Sequence, residues 1–206
     1  MDTSTPADIQ ALEDELDAAE RDARSLVAGL SEEQGAWRAT PDAWSVAQCL
    51  DHIATANRVY LRAMQPAAQQ GREQGRQRRG PALPGLIGRW FVRTQEPPVR
   101  ASFRMKSPRG IVPHEAPTLA AAFAAFVESQ KEVRAFLRGN AGLDLAGVRF
   151  PNPFIRGLRF SLATGLNILT AHARRHLWQG WRVRQAAERT VGCQDEPKSA
   201  TLSLSR

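Results

Sequence analysis

Three histidines have the spacing expected of a metal site. His172 and His176 form an H-x-x-x-H pair, and His52 lies far upstream in the chain. Side chains at positions i and i+4 project from the same face of a helix, so these two imidazoles can reach one point. A third histidine from a facing helix gives the three-ligand, open-position arrangement typical of catalytic rather than structural zinc sites. We therefore predict that His52, His172 and His176 bind one divalent metal ion.

An alternative explanation of this pair involves no metal. An isolated H-x-x-x-H is a weak motif, and one or both histidines then lie at the edge of the core, hydrogen-bonded to backbone, Ser or Thr groups. However, His176 occupies the same stripe as Leu162, Leu166 and Leu169. Histidines that face a core must each satisfy two ring nitrogens where polar partners are few. A metal ion meets that requirement.

Periodic apolar residues predict the helices that position these histidines. Capping-box pairs mark two helix starts, at Ser31 with Gln34 and at Ser45 with Gln48. A further short helix is expected near residues 83–94. The four long helices are predicted over residues 7–30, from 45 to before 69, from 118 to about 138, and from 158–161 to about 188. Four long helices with one long crossover predict an all-α four-helix bundle.

The length and the distribution of loop residues predict a single domain over residues 1–190. Within it, residues 71–117 form a basic, Pro- and Gly-rich crossover between the second and third long helices. Residues 140–157 are turn-rich. The polar residues 191–206 are expected to form a flexible tail.

Cysteine usage and hydropathy exclude several classes. Only Cys49 and Cys193 are present, which argues against a disulfide framework and against a cysteine metal site, so a metal must rely on histidine and carboxylate. No apolar run approaches the roughly 18 residues of a membrane span, and the N-terminus lacks a basic-then-apolar leader pattern. We expect a cytoplasmic protein with no membrane partner.

The net charge of +7 raises the question of nucleic-acid binding. The charge is uneven: residues 1–33 carry ten acids and two arginines, whereas residues 71–110 carry ten basic residues and two acids. Arginine outnumbers lysine 25 to 3, which indicates a compositional bias as much as selection for phosphate contacts. The chain has no recognisable binding motif and no aromatic interleaving in the basic span, so we do not expect a nucleic-acid partner.

Two segments resemble the DinB/YfiT-like superfamily of four-helix-bundle metalloproteins. They are WSVAQCLDHI at residues 44–53 and AHARRHLWQ at residues 171–179, and the resemblance extends over residues 7–187. In that family a Trp-Ser pair opens the second helix, a histidine two turns later is a metal ligand, and an H-x-x-x-H in the last helix supplies two more. The resemblance implies His52, His172 and His176 as ligands, with Gln179 following, of a zinc or nickel ion. Bundles of this kind are often dimers.

The resemblance also bounds the function. Some members are thiol-dependent transferases, isomerases or hydrolases, and many have no known activity. We expect a metal-dependent hydrolase or a low-molecular-weight-thiol-dependent transferase acting on a small molecule, with arginines of residues 72–109 holding acidic groups. The alternative is a non-catalytic bundle with a structural metal or none, acting through homodimerisation or partner binding.

Neighbouring residues have other expected roles, and no general acid or base is assigned. We interpret Trp44 as a packing anchor, His114 as a loop residue outside the triad, and Asp51 as a surface charge. Gln179 and Arg175 are candidates for orienting a ligand imidazole or binding an anionic substrate.

Overall fold

The protein, described here from a computed structural model covering residues 5–98 and 108–192, is a bundle of four long helices. These are α1 (Ala7–Val27), α3 (Val46–Glu73), α5 (Leu119–Gly139) and α6 (Leu162–Gly192). Shorter elements join them: helix α2 (Glu32–Ala36), helix α4 (Leu86–Gln95), a 3-10 turn at Arg109–Ile111, and an antiparallel pair of strands, β1 (Arg149–Pro151) and β2 (Arg159–Ser161). The predicted all-α fold is confirmed.

The predicted helix starts are present as hydrogen bonds. The Ser45 hydroxyl accepts from the Gln48 backbone N–H at 3.1 Å, and the Gln48 side chain accepts from the Ser45 N–H at 3.0 Å. Ser31 and Gln34 form the same reciprocal pair at the start of α2. Each pair satisfies two backbone donors that a helix end would otherwise leave without partners. The start of α3 is therefore set a short distance before His52.

Helix α3 lies at the centre and packs against α5 and α6. Its buried apolar side chains belong to two core clusters, one around Met64 and Phe150 and one around Leu50 and Phe126. Helix α6 approaches α3 closely at Gly165, where an added Cβ would lie 2.5 Å from the Met64 Sδ. This close packing brings the histidine-bearing segments of α3 and α6 together.

Ion pairs on the bundle surface join the acidic N-terminal helix to the basic part of the chain. Acids of α1 pair with arginines of α5 and α6, which lie far from α1 in the sequence. The pairs are Glu13 with Arg138 at 2.6 Å, Asp17 with Arg134 at 2.7 Å, and Glu15 with Arg174 at 2.8 Å. The acidic N-terminal helix therefore docks on the basic remainder of the bundle.

The predicted boundaries of the crossover and the last helix need correction. Helix α3 continues past Gln69 to Glu73, with Pro66 inside it, and Ala68 and Gly71 of its last turns are buried. Gly71 packs against Val148, to whose Cγ2 an added Cβ would lie 3.0 Å. This tertiary contact outweighs the loop-like local composition. Residues 99–107 of the crossover lie outside the described residues.

The region predicted as turns, residues 140–157, contains strand β1, whereas strand β2 occupies the predicted start of the last helix; Phe150 of β1 pairs with Phe160 of β2. Both phenylalanines are buried, so the hairpin covers one end of the core. Helix α6 begins at Leu162, directly after β2, and extends to Gly192, so residues 191–192 belong to the helix rather than to the predicted tail. Residues 193–206 lie outside the described residues. Over residues 5–98 and 108–192, no helix is long and apolar enough to cross a membrane.

Candidate metal centre

The structure brings His52 of α3 together with His172 and His176 of α6. The three ring centroids are 4.4 to 4.9 Å apart, and one ring nitrogen from each histidine lies within 4.8 Å of the other two. His52 and His176 are buried. Three imidazoles from two helices thus converge on one point of the bundle interior.

The tautomer of His52 is set by a residue from the crossover. The His52 Nδ1 lies 2.5 Å from the backbone carbonyl oxygen of Ile111. A carbonyl oxygen only accepts, so Nδ1 carries the hydrogen and Nε2 presents a lone pair. That Nε2 faces His172. The Ile111 carbonyl therefore prepares His52 as a ligand through Nε2, as outer partners of metal-binding histidines commonly do.

Gln179 does the same for His176. The Gln179 side-chain oxygen lies 3.0 Å from the His176 Nδ1, one helical turn away on α6. An Nδ1–H that donates to this oxygen leaves the His176 Nε2 with a lone pair. Of the two roles considered for Gln179, the structure therefore supports orientation of an imidazole.

His172 is the member of the cluster without an outer partner. Its Nε2 lies 3.1 Å from the His52 Nε2, and its buried Nδ1 has no hydrogen-bond partner among the described residues. Because the His52 Nε2 carries a lone pair, this contact in the metal-free protein requires the hydrogen of His172 on Nε2. The buried Nδ1 then holds an unsatisfied lone pair, which costs free energy.

The residues present fit a divalent metal ion. Two nitrogens at roughly 2.1 Å from one tetrahedral zinc are about 3.4 Å apart, close to the 3.1 Å between the Nε2 atoms of His52 and His172. A shared metal would allow both Nε2 atoms to act through lone pairs, with the hydrogen of His172 on Nδ1. Neutral imidazole is also a preferred ligand of zinc and nickel.

The electrostatics of the cluster keep the imidazoles neutral. Burial lowers the pKa of His52 to about 4, although its hydrogen bond to Ile111 and the charge of Asp51 act in the opposite direction. Burial also holds the pKa values of His172 and His176 well below the ordinary value, and neighbouring imidazoles and the positive charge of Arg175 lower them further. Neutral histidine is the form that binds a metal.

Trp44 and Arg175 lie beside the cluster. The Trp44 ring centroid is 4.7 Å from that of His52 and 5.5 Å from that of His176, so this tryptophan packs directly on the imidazoles. Arg175 donates from Nη1 to the Thr94 carbonyl oxygen at 3.0 Å. Unlike Arg174, which pairs with two glutamates, Arg175 pairs with no carboxylate of the described residues.

The interpretation of Asp51 as a surface charge is wrong. Asp51 is buried at 7% exposure, and its carboxylate accepts hydrogen bonds from the backbone N–H of His114 at 2.8 Å and from the His114 Nδ1 at 2.9 Å. The imidazole of His114 is itself largely exposed. Asp51 therefore anchors the loop that follows Ile111 onto α3. Local helix periodicity could not reveal a partner 63 residues away.

Part of the rim of the cluster reaches solvent. His172, Trp44, Arg175 and Gln179 are all partly exposed, whereas His52 and His176 are buried. A separate groove of about 590 Å³ between α3 and α5 is lined by residues such as Arg58, Glu132 and Phe136 and by none of the three histidines. The residues between the cluster and solvent therefore include His172 and Arg175.

Sequence reasoning missed the outer partner of His52. Ile111 contributes a backbone atom from the crossover, and a backbone carbonyl leaves no signal in the residue type. By contrast, Gln179 follows His176 by three residues, a spacing that local helix geometry makes recognisable.

Comparison with known proteins identifies the family. A sequence model described as the DinB superfamily matches residues 15–179, well over half of the chain. No curated protein and no solved structure matches the chain significantly. The matched region contains His52, His172, His176 and Gln179, and with this match the chain belongs to the DinB superfamily.

Proposed function

We propose that this protein binds one zinc or nickel ion through His52, His172 and His176 and acts as a metal-dependent enzyme on a small molecule. The observation that supports the proposal is the orientation of the imidazoles by hydrogen bonds at Nδ1. Ile111 and Gln179 each occupy the Nδ1 of a buried histidine, which leaves Nε2 lone pairs for a shared ligand. Histidines that only fill space in a core do not need Nε2 lone pairs that converge on one point.

The chemistry follows from an all-neutral donor set. A divalent ion held by three imidazoles keeps its full charge and, when bound, acidifies a water or thiol and polarises a carbonyl. The chain contributes the surroundings: Trp44 covers one side of the imidazoles, and Arg175 supplies a half-buried cation for an anionic group of the substrate. The partly exposed edge at His172 admits the substrate.

Between the two reaction classes, we favour transfer of a low-molecular-weight thiol over hydrolysis. Hydrolysis generally uses a general base beside the metal, and no carboxylate of the described residues joins the three histidines. The nearby Asp51 is engaged by His114. A thiol that has already lost its proton needs no such base, and Arg175 offers a binding position for a carboxylate of the thiol.

Metal analysis tests the proposal first. Untagged protein purified without chelator is compared by mass spectrometry with a His172→Ala, His176→Ala double variant and with His114→Ala, which changes the fourth and exposed histidine. We expect near-stoichiometric metal in the wild type and in His114→Ala, and none in the double variant. Wild-type protein that stays metal-free after incubation with zinc and with nickel would overturn the proposal and favour the non-catalytic bundle.

An activity screen then separates the two reaction classes. Metal-loaded protein is incubated with a small thiol and an electrophile that changes absorbance on substitution, and separately with ester and amide substrates. We expect thiol consumption that depends on metal and decreases in Arg175→Gln, mainly through a higher KM for acidic thiols. Ester or amide cleavage without thiol would assign hydrolysis instead.

A further inference from the structure

Helix α4 presents apolar side chains to solvent. Leu83, Leu86, Ile87 and Trp90 are 61%, 78%, 69% and 63% exposed, and we call these four residues the α4 face. Leu86 and Ile87 lie four and three positions before Trp90, so the three share one side of the helix. A contiguous exposed apolar cluster of this kind marks an interaction surface rather than scattered surface hydrophobics.

The opposite side of α4 is firmly attached to the bundle. Gly88 packs so closely on α6 that an added Cβ would lie 2.4 Å from the Thr164 Oγ1. The ring centroid of Phe91 is 5.0 Å from that of Phe160. At its end, Glu96 pairs with Arg174. These contacts hold the helix in one orientation, so the α4 face remains directed away from the core.

Arginines predominate around the α4 face, and the neighbouring acids Asp8 and Glu96 are paired with Arg78 and Arg174. Residues 74–95 contain five arginines and no acid. Arg78 is paired with Asp8, and the other four are exposed: Arg76, Arg79, Arg89 and Arg93. Arg89 and Arg93 follow Leu86 and Trp90 by three residues each. Cations therefore flank the apolar side chains along the same helix.

This combination selects one kind of partner. In a twofold contact with a second copy, the arginines of one face would meet those of the other, and like charges repel. A nucleic acid offers phosphates but gives the four apolar side chains nothing to be buried in. An anionic bilayer satisfies both, since its phosphates accept from arginine and its interface takes up Leu, Ile and Trp.

We propose that the α4 face binds the surface of membranes containing anionic phospholipid, with Leu86, Ile87 and Trp90 in the interface and Arg89 and Arg93 on lipid phosphates. Such binding is peripheral and needs no spanning helix, so the proposal departs from the expectation of no membrane partner, which rested on the lack of a spanning segment. It is independent of the metal ion and of the reaction, because none of these residues belongs to the histidine cluster.

Sedimentation with vesicles tests the proposal on the full chain. Vesicles of phosphatidylcholine alone are compared with vesicles that also contain phosphatidylserine, at low and at high salt. We expect binding only to the phosphatidylserine vesicles, weakened by salt because exposed charges are screened. Absence of binding to either kind of vesicle would overturn the proposal.

Paired variants distinguish the α4 face from a general effect of a basic protein. Arg89→Gln, Arg93→Gln is matched by Arg21→Gln, Arg189→Gln, which removes the same charge from exposed positions elsewhere. We expect the first pair to weaken binding about tenfold or more and the second to change it little, because the attraction acts within a Debye length. Equal weakening by both pairs would assign binding to net charge and overturn the proposal.

The apolar contribution has its own matched test. Ile87→Gln, Trp90→Gln is compared with Val112→Gln, Ile155→Gln, which changes two exposed apolar residues outside α4. We expect at least a tenfold loss of vesicle binding for the α4 pair only. Anionic vesicles should also shift the tryptophan emission of the wild type to the blue, and this shift should be absent from the α4 pair, which lacks Trp90 but retains the other four tryptophans. Sedimentation velocity without vesicles completes the test: a dimer abolished by the α4 pair, with vesicle binding unchanged, would identify a second copy as the partner instead.

Discussion

Replacement of His172 by leucine is expected to change the stability of the metal-free protein little and to remove most of the stabilisation that a metal ion provides. Without metal, the buried His172 Nδ1 has no partner among the described residues. An unsatisfied buried polar group costs about 1–3 kcal/mol. His172→Leu removes that group but also removes the donor to the buried Nε2 of His52, which then lacks a partner, so the two effects roughly cancel. With a packing cost of up to about 1.5 kcal/mol, the free energy of unfolding of the variant in chelator should lie within about 1.5 kcal/mol of the wild-type value.

With metal, the wild type should be clearly more stable than the variant. A ligand that binds only the folded state at 1,000 times its dissociation constant adds about 4 kcal/mol to the free energy of unfolding. The variant retains two of the three imidazoles and should gain much less. For a chain of this size, 4 kcal/mol corresponds to a rise in Tm of roughly 8–16 °C for the wild type.

Urea unfolding followed by circular dichroism measures the free energy of unfolding of the variant and of the wild type, in chelator and in zinc or nickel. His114→Leu is the matched control, because His114 lies outside the cluster and its imidazole is exposed. It should retain the full metal response whatever its effect on stability. The reasoning is refuted if His172→Leu lowers the free energy of unfolding by 2 kcal/mol or more in chelator and metal leaves the wild type unchanged.

Three further measurements test the histidine cluster and the burial of Cys49 on α3. The pKa of His52 in the folded protein is about 4 against an ordinary value of 6.5, so the metal-free unfolded chain takes up the proton first. His52 alone should contribute about 3 kcal/mol of stability that is fully present above pH 6.5 and lost as the pH falls to 4, with His172 and His176 acting in the same direction; a flat urea-unfolding profile over this window would contradict the shift. Gln179→Leu, which frees the His176 Nδ1, should weaken metal binding about 10- to 100-fold in competition with a chromophoric chelator, whereas unchanged affinity would remove its orienting role. Burial raises the pKa of Cys49 to about 12, so in a Cys193→Ser variant the thiol should react with a disulfide reagent only after unfolding, and rapid reaction of the folded protein would disagree.

The helices and their starts were predictable because their signals are local. Apolar periodicity and the Ser45–Gln48 capping box act within one or two turns, and the structure has the same bonds. The same holds for His172 and His176, since a spacing of four residues on a helix brings them to one face wherever that helix packs. The end of α3 was not predictable, because the burial of Gly71 against Val148 depends on a distant hairpin.

The sequence by itself therefore determined the helical class, the start of α3 and the pairing of two histidines on α6. Only the tertiary structure brought His52 to them, supplied the Ile111 carbonyl that sets its tautomer, and joined Asp51 to His114. It also left the apolar side of α4 facing solvent. The physical reason is range: helix periodicity and capping act over a few residues, whereas these contacts join residues 59 to 120 positions apart and form only when the whole bundle packs.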